Sequence, residues 1–162
     1  WKITLVDTGE KTMTGGRVKK IEKYVDGTFC LTYGDGLSNV NISELLQHHK
    51  KEKSIGTITA VQPPGRFGSL EINNNRVKSF QEKPKGDMNW INGGFFVFDK
   101  EIFNYIKDDS SILEKEPLEN LAKDGQLNAF KHHDFWYAMD TLREKNHLEQ
   151  LWKENKAPWK IW

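Results

Sequence analysis

The stretch CLTYGDGL, residues 30–37, decides how the rest of the chain is read. It closes a β-forming run, TFCLTY at 28–33, with an acidic residue held between two glycines. Such a run reads as a buried strand that stops where the glycines begin. Asp35 then lies at a strand end. Gly34 and Gly36 let the backbone turn and let a ligand come close. Its carboxylate has two readings. It is a turn residue, as Asp commonly is beside Gly. Or it is a hard oxygen ligand for Mg²⁺, which binds few protein groups and completes its shell with water and phosphate.

Working outward, strands and helices alternate. NISELLQHHKK follows, with Asn41 and Glu44 spaced as helix-capping residues and Ile42, Leu45, Leu46 and His49 on one helical face. GTITAV at 56–61 is a strand stopped by Pro63 and Pro64. Residues 69–80 read as a hairpin turned by asparagines. NGGFFVFD at 92–99 is a continuous apolar strand, expected to be buried on both faces. Asp99 is expected to cap a short helix carrying Ile102, Phe103 and Ile106. Ser111 and Glu114 are spaced as a capping box, and Pro117 suits a first helical turn. QLNAFKH and FWYAM are strands, and Thr141 with Glu144 caps a last helix through Leu148, Leu151 and Trp152. The opening KITLVDTG is strand-like. This order predicts an α/β fold with a mixed sheet and ligands gathered at strand ends.

Composition narrows the function. The 162 residues suit one compact domain, and 24 Lys plus Arg against 23 Asp plus Glu argue against a nucleic-acid or membrane-surface binder. No apolar run is long enough to span a membrane. Cys30, the one cysteine, reads as a small buried core residue rather than a nucleophile. The five histidines show no zinc spacing, and neither a Walker loop nor a Gly-x-Ser-x-Gly elbow occurs. The chain opens on Trp1 in strand-like sequence, so it is read as a fragment or processed piece.

Other motifs each have a chemical and a plain reading. SFQEKPKG at 79–86 offers Glu82 to sugar hydroxyls and Lys83 to a phosphate, or is a solvated charged loop. The glycines of WINGGFFVF mark either a close ligand or a tight packing contact. TMTGGR at 12–17 is a flexible Gly pair ahead of a phosphate-binding Arg17, or a turn before a surface Arg. Asp140 in AMDTLRE is a ligand, or an acid favoured near a helix start.

In this order the pieces resemble the sugar-phosphate nucleotidyltransferase family, in its cytidylyl branch. TLVDTGEKTMTGGRVKKI, TYGDGLSNVNI, PPGRFGSLEI, VKSFQEKPKGD, INGGFFVF, FWYAMDTLREK and APWKIW carry the likeness from Trp1 to Trp162. The resemblance implies a Rossmann-like nucleotidyltransferase fold with a mixed sheet. The family's opening glycine-rich loop, which cradles the nucleotide and reads the base, has no counterpart here. Residues 1–162 are therefore expected to be the C-terminal portion of a single nucleotidyltransferase domain, ending in a short helix and tail at about 141–162. A sheet lacking its first strands is expected to expose an apolar edge.

The resemblance also implies a reaction. Glucose 1-phosphate attacks the α-phosphorus of CTP, giving CDP-glucose and pyrophosphate in a cytoplasmic enzyme of carbohydrate biosynthesis, O-antigen included. Asp35 and Asp140 would hold one Mg²⁺. Lys83 would neutralise the sugar phosphate, and Glu82, Asn92 and the Gly93 backbone would hold the hexose. Arg17, with Thr12 nearby, would contact nucleotide, and Gly34 would let the ligand pass. The implied partners are CTP, glucose 1-phosphate and further copies of the chain as a homo-oligomer. No nucleic acid and no membrane are implied. A sugar-phosphate-binding fragment without catalysis, and a UTP or dTTP specificity, stay open.

Overall fold

The computed structural model describes residues 1–63, 69–82 and 89–162. In chain order they form α1 (Thr14–Lys20), β1 (Phe29–Thr32), β2 (Gly36–Ser38), α2 (Ile42–Glu52), β3 (Gly56–Val61), β4 (Ser69–Asn73), β5 (Arg76–Gln81), β6 (Ile91–Phe98), α3 (Glu116–Lys123), β7 (Leu127–His132), β8 (Trp136–Ala138) and α4 (Leu142–Lys153). This is the expected α/β fold with a mixed sheet. The main sheet has strand order β1-β6-β3-β7, and β2-β8 and β4-β5 form separate two-stranded ribbons. The chain divides into two compact units.

The first unit comprises Trp1–Leu31, Ser43–Ile58 and Phe96–Ala129. Its core is Leu45, Phe96, Val97, Phe98, Ile102, Phe103, Leu113 and Leu121, all essentially without solvent exposure. Burying each such side chain stabilises the unit by roughly 1.5–3 kcal/mol. Phe29 stacks on Phe103 at 5.7 Å, and Phe96 on Phe98 at 5.3 Å. A buried polar pair is built into this core. His49 Nδ1 lies 2.9 Å from Thr57 Oγ1, and its Nε2 lies 3.4 Å from Asp99 Oδ1.

The second unit comprises Thr32–Ile42, Thr59–Phe95 and Phe130–Trp162. Val40, Ala60, Val61 and Leu148 are its buried apolar residues. The β4-β5 hairpin turns at Asn74 and Asn75, with φ of 46° and 64°. Two successive left-handed residues make the primed turn that matches strand twist, and Asn adopts that conformation readily. Thr141 caps α4 in a complete capping box, as its spacing with Glu144 predicts.

Several expectations are corrected. Cys30 is exposed, because β1 is an edge strand whose residues alternate between half-buried and exposed. Residues 1–9 form no strand, and Trp1, Ile3 and Leu5 are exposed. An alternating apolar segment becomes a strand only with a partner, and among the described residues it pairs with none. Residues 14–17 are helix rather than turn. Ser111 and Glu114 open no helix, since α3 begins at Glu116. Thr14 Oγ1 instead accepts from the Leu113 N–H and donates to Glu114. Asp99 precedes a 3-10 stretch over Lys100–Tyr105, but its side chain makes no cap. It accepts from Thr28 Oγ1 and faces His49 instead.

Candidate active site

The second unit brings the two aspartates to one end of one ribbon. β2 and β8 pair antiparallel, with Gly36 opposite Ala138 and Ser38 opposite Trp136. The pairing runs one residue further, since the Met139 N–H donates to the Asp35 carbonyl at 2.8 Å. Asp35 thus enters the ribbon and Asp140 leaves it at the same end, and both are exposed. Asp140 also sits just ahead of α4. Its N–H and that of Thr141 donate to Glu144 Oε2 at 2.9 and 2.8 Å, so the Glu144 carboxylate is occupied as a cap. The positive helix end favours a nearby negative charge at Asp140.

Among the described residues no three His, Cys, Asp or Glu side chains cluster as a ready-made metal cage. Two exposed carboxylates at one ribbon end are a hard, oxygen-only donor set. That set fits Mg²⁺, which keeps several waters and takes further oxygens from phosphates, and does not fit a structural zinc.

The Asn92–Gly94 corner belongs to the same unit. Asn92 Oδ1 accepts from the Gly94 N–H at 2.8 Å, and Asn92 Nδ2 donates to Tyr33 Oη at 3.3 Å. Gly94 has φ +76°, and a Cβ there would lie 2.6 Å from Tyr33 Cδ2. Only glycine suits both that conformation and that contact. Gly93 is pressed against β3, because a Cβ there would lie 2.8 Å from Val61 Cγ1 and 2.9 Å from the Thr59 carbonyl. Its own carbonyl accepts from Trp136 Nε1 at 2.7 Å. Gly34 differs from both, since a Cβ there meets none of the described residues within 4 Å. Glu82 is exposed just after β5, and Lys83 lies outside the described residues.

In the first unit, Arg17 is exposed on α1 and its guanidinium donates to Thr8 Oγ1 and to the Glu10 carbonyl. Thr12 is buried, 7% exposed, and its hydroxyl meets Lys20 Nζ at 3.2 Å and Asp109 Oδ2 at 3.4 Å. The glycine pair before Arg17 is buried as well. A Cβ on Gly15 would come 2.8 Å from the Ser111 carbonyl, and one on Gly16 would come 2.6 Å from Asp109 Cα. These glycines allow α1 to pack closely on residues 109–111.

Tyr33 and Trp136 bond to the Asn92–Gly94 corner and are not among the residues that the sequence motifs single out. Their signal was position: each aromatic lies within four residues of an acidic motif residue on the same strand run. A hydrogen bond from an indole to a glycine carbonyl on another strand has no local pattern.

The chain is 51% identical, over its whole length, to the glucose-1-phosphate cytidylyltransferase of Salmonella typhimurium, of which it covers 64%. It is 41% identical over its whole length to the probable glucose-1-phosphate cytidylyltransferase of Bacillus subtilis, again covering 64% of that protein. The chain thus spans under two thirds of the length of these relatives. Among solved structures, a UDP-glucose pyrophosphorylase complexed with UDP-glucose superposes with a TM-score of 0.66 at 13% identity, over 93% of this chain and 65% of that one. That likeness concerns the fold. The nucleotidyl transferase pattern matches residues 10–147, and on that match the chain belongs to the nucleotidyl transferase family.

Proposed function

We propose that the full-length protein containing this chain transfers a cytidylyl group from CTP to glucose 1-phosphate, releasing pyrophosphate. The observation that carries the reading is 51% identity along the entire chain to a glucose-1-phosphate cytidylyltransferase. The convergence of Asp35 and Asp140 on one end of the β2-β8 ribbon supports it independently.

A phosphate oxygen of glucose 1-phosphate attacks the α-phosphorus of CTP in line. A new P–O bond forms, the bond between the α-phosphorus and the bridging oxygen breaks, and pyrophosphate departs with that electron pair. The protein's task is positioning and charge neutralisation. Mg²⁺, when bound, would supply charge neutralisation for the phosphates. Asp35 and Asp140 are the residues that would hold it. Lys83 neutralises the sugar phosphate, and Glu82, Asn92 and the Gly93 backbone hold hexose hydroxyls. The Gly93 carbonyl accepts from Trp136, which fixes the backbone that the hexose would meet. Arg17, after releasing Thr8 and Glu10, contacts nucleotide phosphate beside Thr12. Gly34 leaves room for the ligand. The enzyme is taken to be a cytoplasmic homo-oligomer in carbohydrate biosynthesis.

The test is Asp35→Asn and Asp140→Asn in the full-length protein, assayed for Mg²⁺-dependent pyrophosphate release from CTP and glucose 1-phosphate. Turnover should fall by orders of magnitude with the unfolding midpoint preserved. Near-normal turnover in either variant would sink the metal assignment. A second reading, sugar-phosphate binding without catalysis by this segment alone, follows from its covering 64% of its relatives. Calorimetry with glucose 1-phosphate and a CTP turnover assay on one sample separate the two.

A further inference from the structure

We propose that Trp136 is a positioning residue for sugar-phosphate recognition, acting through the Asn92–Gly94 corner. The inference rests on the hexose-binding role given above to Asn92 and Gly93. The Trp136 indole N–H donates to the Gly93 carbonyl at 2.7 Å, a bond between residues 43 apart in sequence. Gly93 is buried, so losing this donor costs its carbonyl more than it would at an exposed residue. Its Cα side is closed by Val61 and by the Thr59 carbonyl. The next residue, Gly94, is fixed from the other direction by the Tyr33 ring and by the Tyr33 N–H, which donates to the Gly94 carbonyl at 3.1 Å. Asn92 in turn donates to Tyr33 Oη and accepts from the Gly94 N–H. The corner is therefore fastened by two aromatics.

Those aromatics come from the runs that carry the aspartates. Tyr33 precedes Asp35 by two residues, and Trp136 precedes Asp140 by four. The β2-β8 ribbon that carries the two carboxylates is thus tied by a hydrogen bond to the corner that would face the hexose. Trp136 touches no reacting atom in this arrangement. It sets where Asn92 and the Gly93 backbone stand relative to the ribbon, which is where a misplacement of about 1 Å is costly.

Trp136→Phe in the full-length protein keeps an apolar ring and deletes the donor. The expected result is a rise of roughly five- to tenfold in KM for glucose 1-phosphate, as one lost hydrogen bond to a buried carbonyl implies. KM for CTP should change less than about twofold, and the thermal midpoint by only a few degrees, since the ring's packing remains. A parallel rise in both KM values, or a lowered midpoint with unchanged KM for the sugar phosphate, overturns the proposal as a merely structural role. Should the unsubstituted protein release no pyrophosphate from CTP, the transfer reading fails instead. The positioning role is then read by calorimetry with glucose 1-phosphate alone, where equal affinity of parent and Trp136→Phe overturns it.

Discussion

Gly16→Ala separates two meanings of the TGGR motif. One holds that the glycines give a loop the freedom to wrap a phosphate. The other holds that they let α1 lie against residues 109–111. At an unobstructed helical position Gly→Ala stabilises by up to about 1 kcal/mol. Gly16 is obstructed. An added Cβ would stand 2.6 Å from Asp109 Cα, 2.8 Å from the Asp109 carbonyl and 2.8 Å from Thr12 Cγ2. Carbon–carbon contact becomes favourable only near ~3.5 Å, so the helix must retreat by roughly 1 Å. Two of those three atoms are backbone, which no rotamer change can move.

The retreat strains what ties α1 to that segment. The Met13 N–H donates to the Asp109 carbonyl at 2.8 Å, the Gly16 N–H to the Ser111 carbonyl at 3.2 Å, and Lys20 pairs with Asp109 at 2.6 Å. Overpacking costs about 1–3 kcal/mol, and each weakened backbone hydrogen bond adds up to about 1 kcal/mol. After subtracting the helix gain, the expected loss is roughly 2–4 kcal/mol. That corresponds to a midpoint lowered by about 5–15 °C. Urea and thermal unfolding of the full-length protein read it directly. Gly34→Ala is the control, because its Cβ meets none of the described residues within 4 Å. If Gly16→Ala is as stable as its parent, or more stable, the packing account is wrong. If it also loses CTP affinity while remaining stable, the phosphate-loop meaning is the right one.

Gly34→Ala itself should leave stability unchanged or raise it by about 0.4–1 kcal/mol, yet reduce turnover if the ligand passes this strand end. Unchanged kinetics would remove Gly34 from the site. Thr57→Val deletes the buried hydroxyl beside His49 Nδ1 and should cost about 1–3 kcal/mol in urea unfolding, with Thr57→Ser restoring most of it. A neutral Thr57→Val would show that the buried imidazole does not depend on this partner. Cys30 is exposed, so a maleimide should label it in the native protein. Partial burial holds its thiol above the ordinary 9.0, so labelling near neutral pH should be slower than for free cysteine and accelerate as pH rises. Labelling that requires denaturant would contradict the edge placement of β1.

What sequence made legible follows from where each preference is decided. The strands at 56–61 and 92–99 are found because buried apolar runs need no partner to be recognised. The hairpin and the last helix are found because Asn74, Asn75, Thr141 and Glu144 act on backbone a few residues away. Failures occur where a distant group competes. Asp99 abandons its cap for Thr28 and His49, and the Glu114 carboxylate that a Ser111 box would use accepts from Thr14, while the Ser111 hydroxyl accepts from the Asp108 N–H. Cys30 was misplaced because an apolar run does not tell which strand is an edge. Of the site, Asp35 and Asp140 were legible singly as acids at strand ends. Their meeting came only from the family resemblance and not from local pattern, since it depends on β2, three residues long, finding β8 about a hundred residues later.

The motif glycines look alike in sequence, and what a Cβ would meet distinguishes them. Gly15 and Gly16 face backbone of residues 109–111, and Gly93 faces Val61 and the Thr59 carbonyl. Gly94 is held by its φ and by Tyr33. Each of these is explained by the protein's own packing, so none needs a ligand to account for its being glycine. Gly34 has no such explanation among the described residues: its φ falls outside the left-handed range, and none of them lies within 4 Å of an added Cβ. A side chain there would cost the fold nothing, while an ordinary residue loses less conformational entropy on folding than glycine does. Glycine at that position is disfavoured by stability alone, one residue before Asp35. If an incoming phosphate or nucleotide uses that space, Gly34→Ala should alter kinetics without altering the fold.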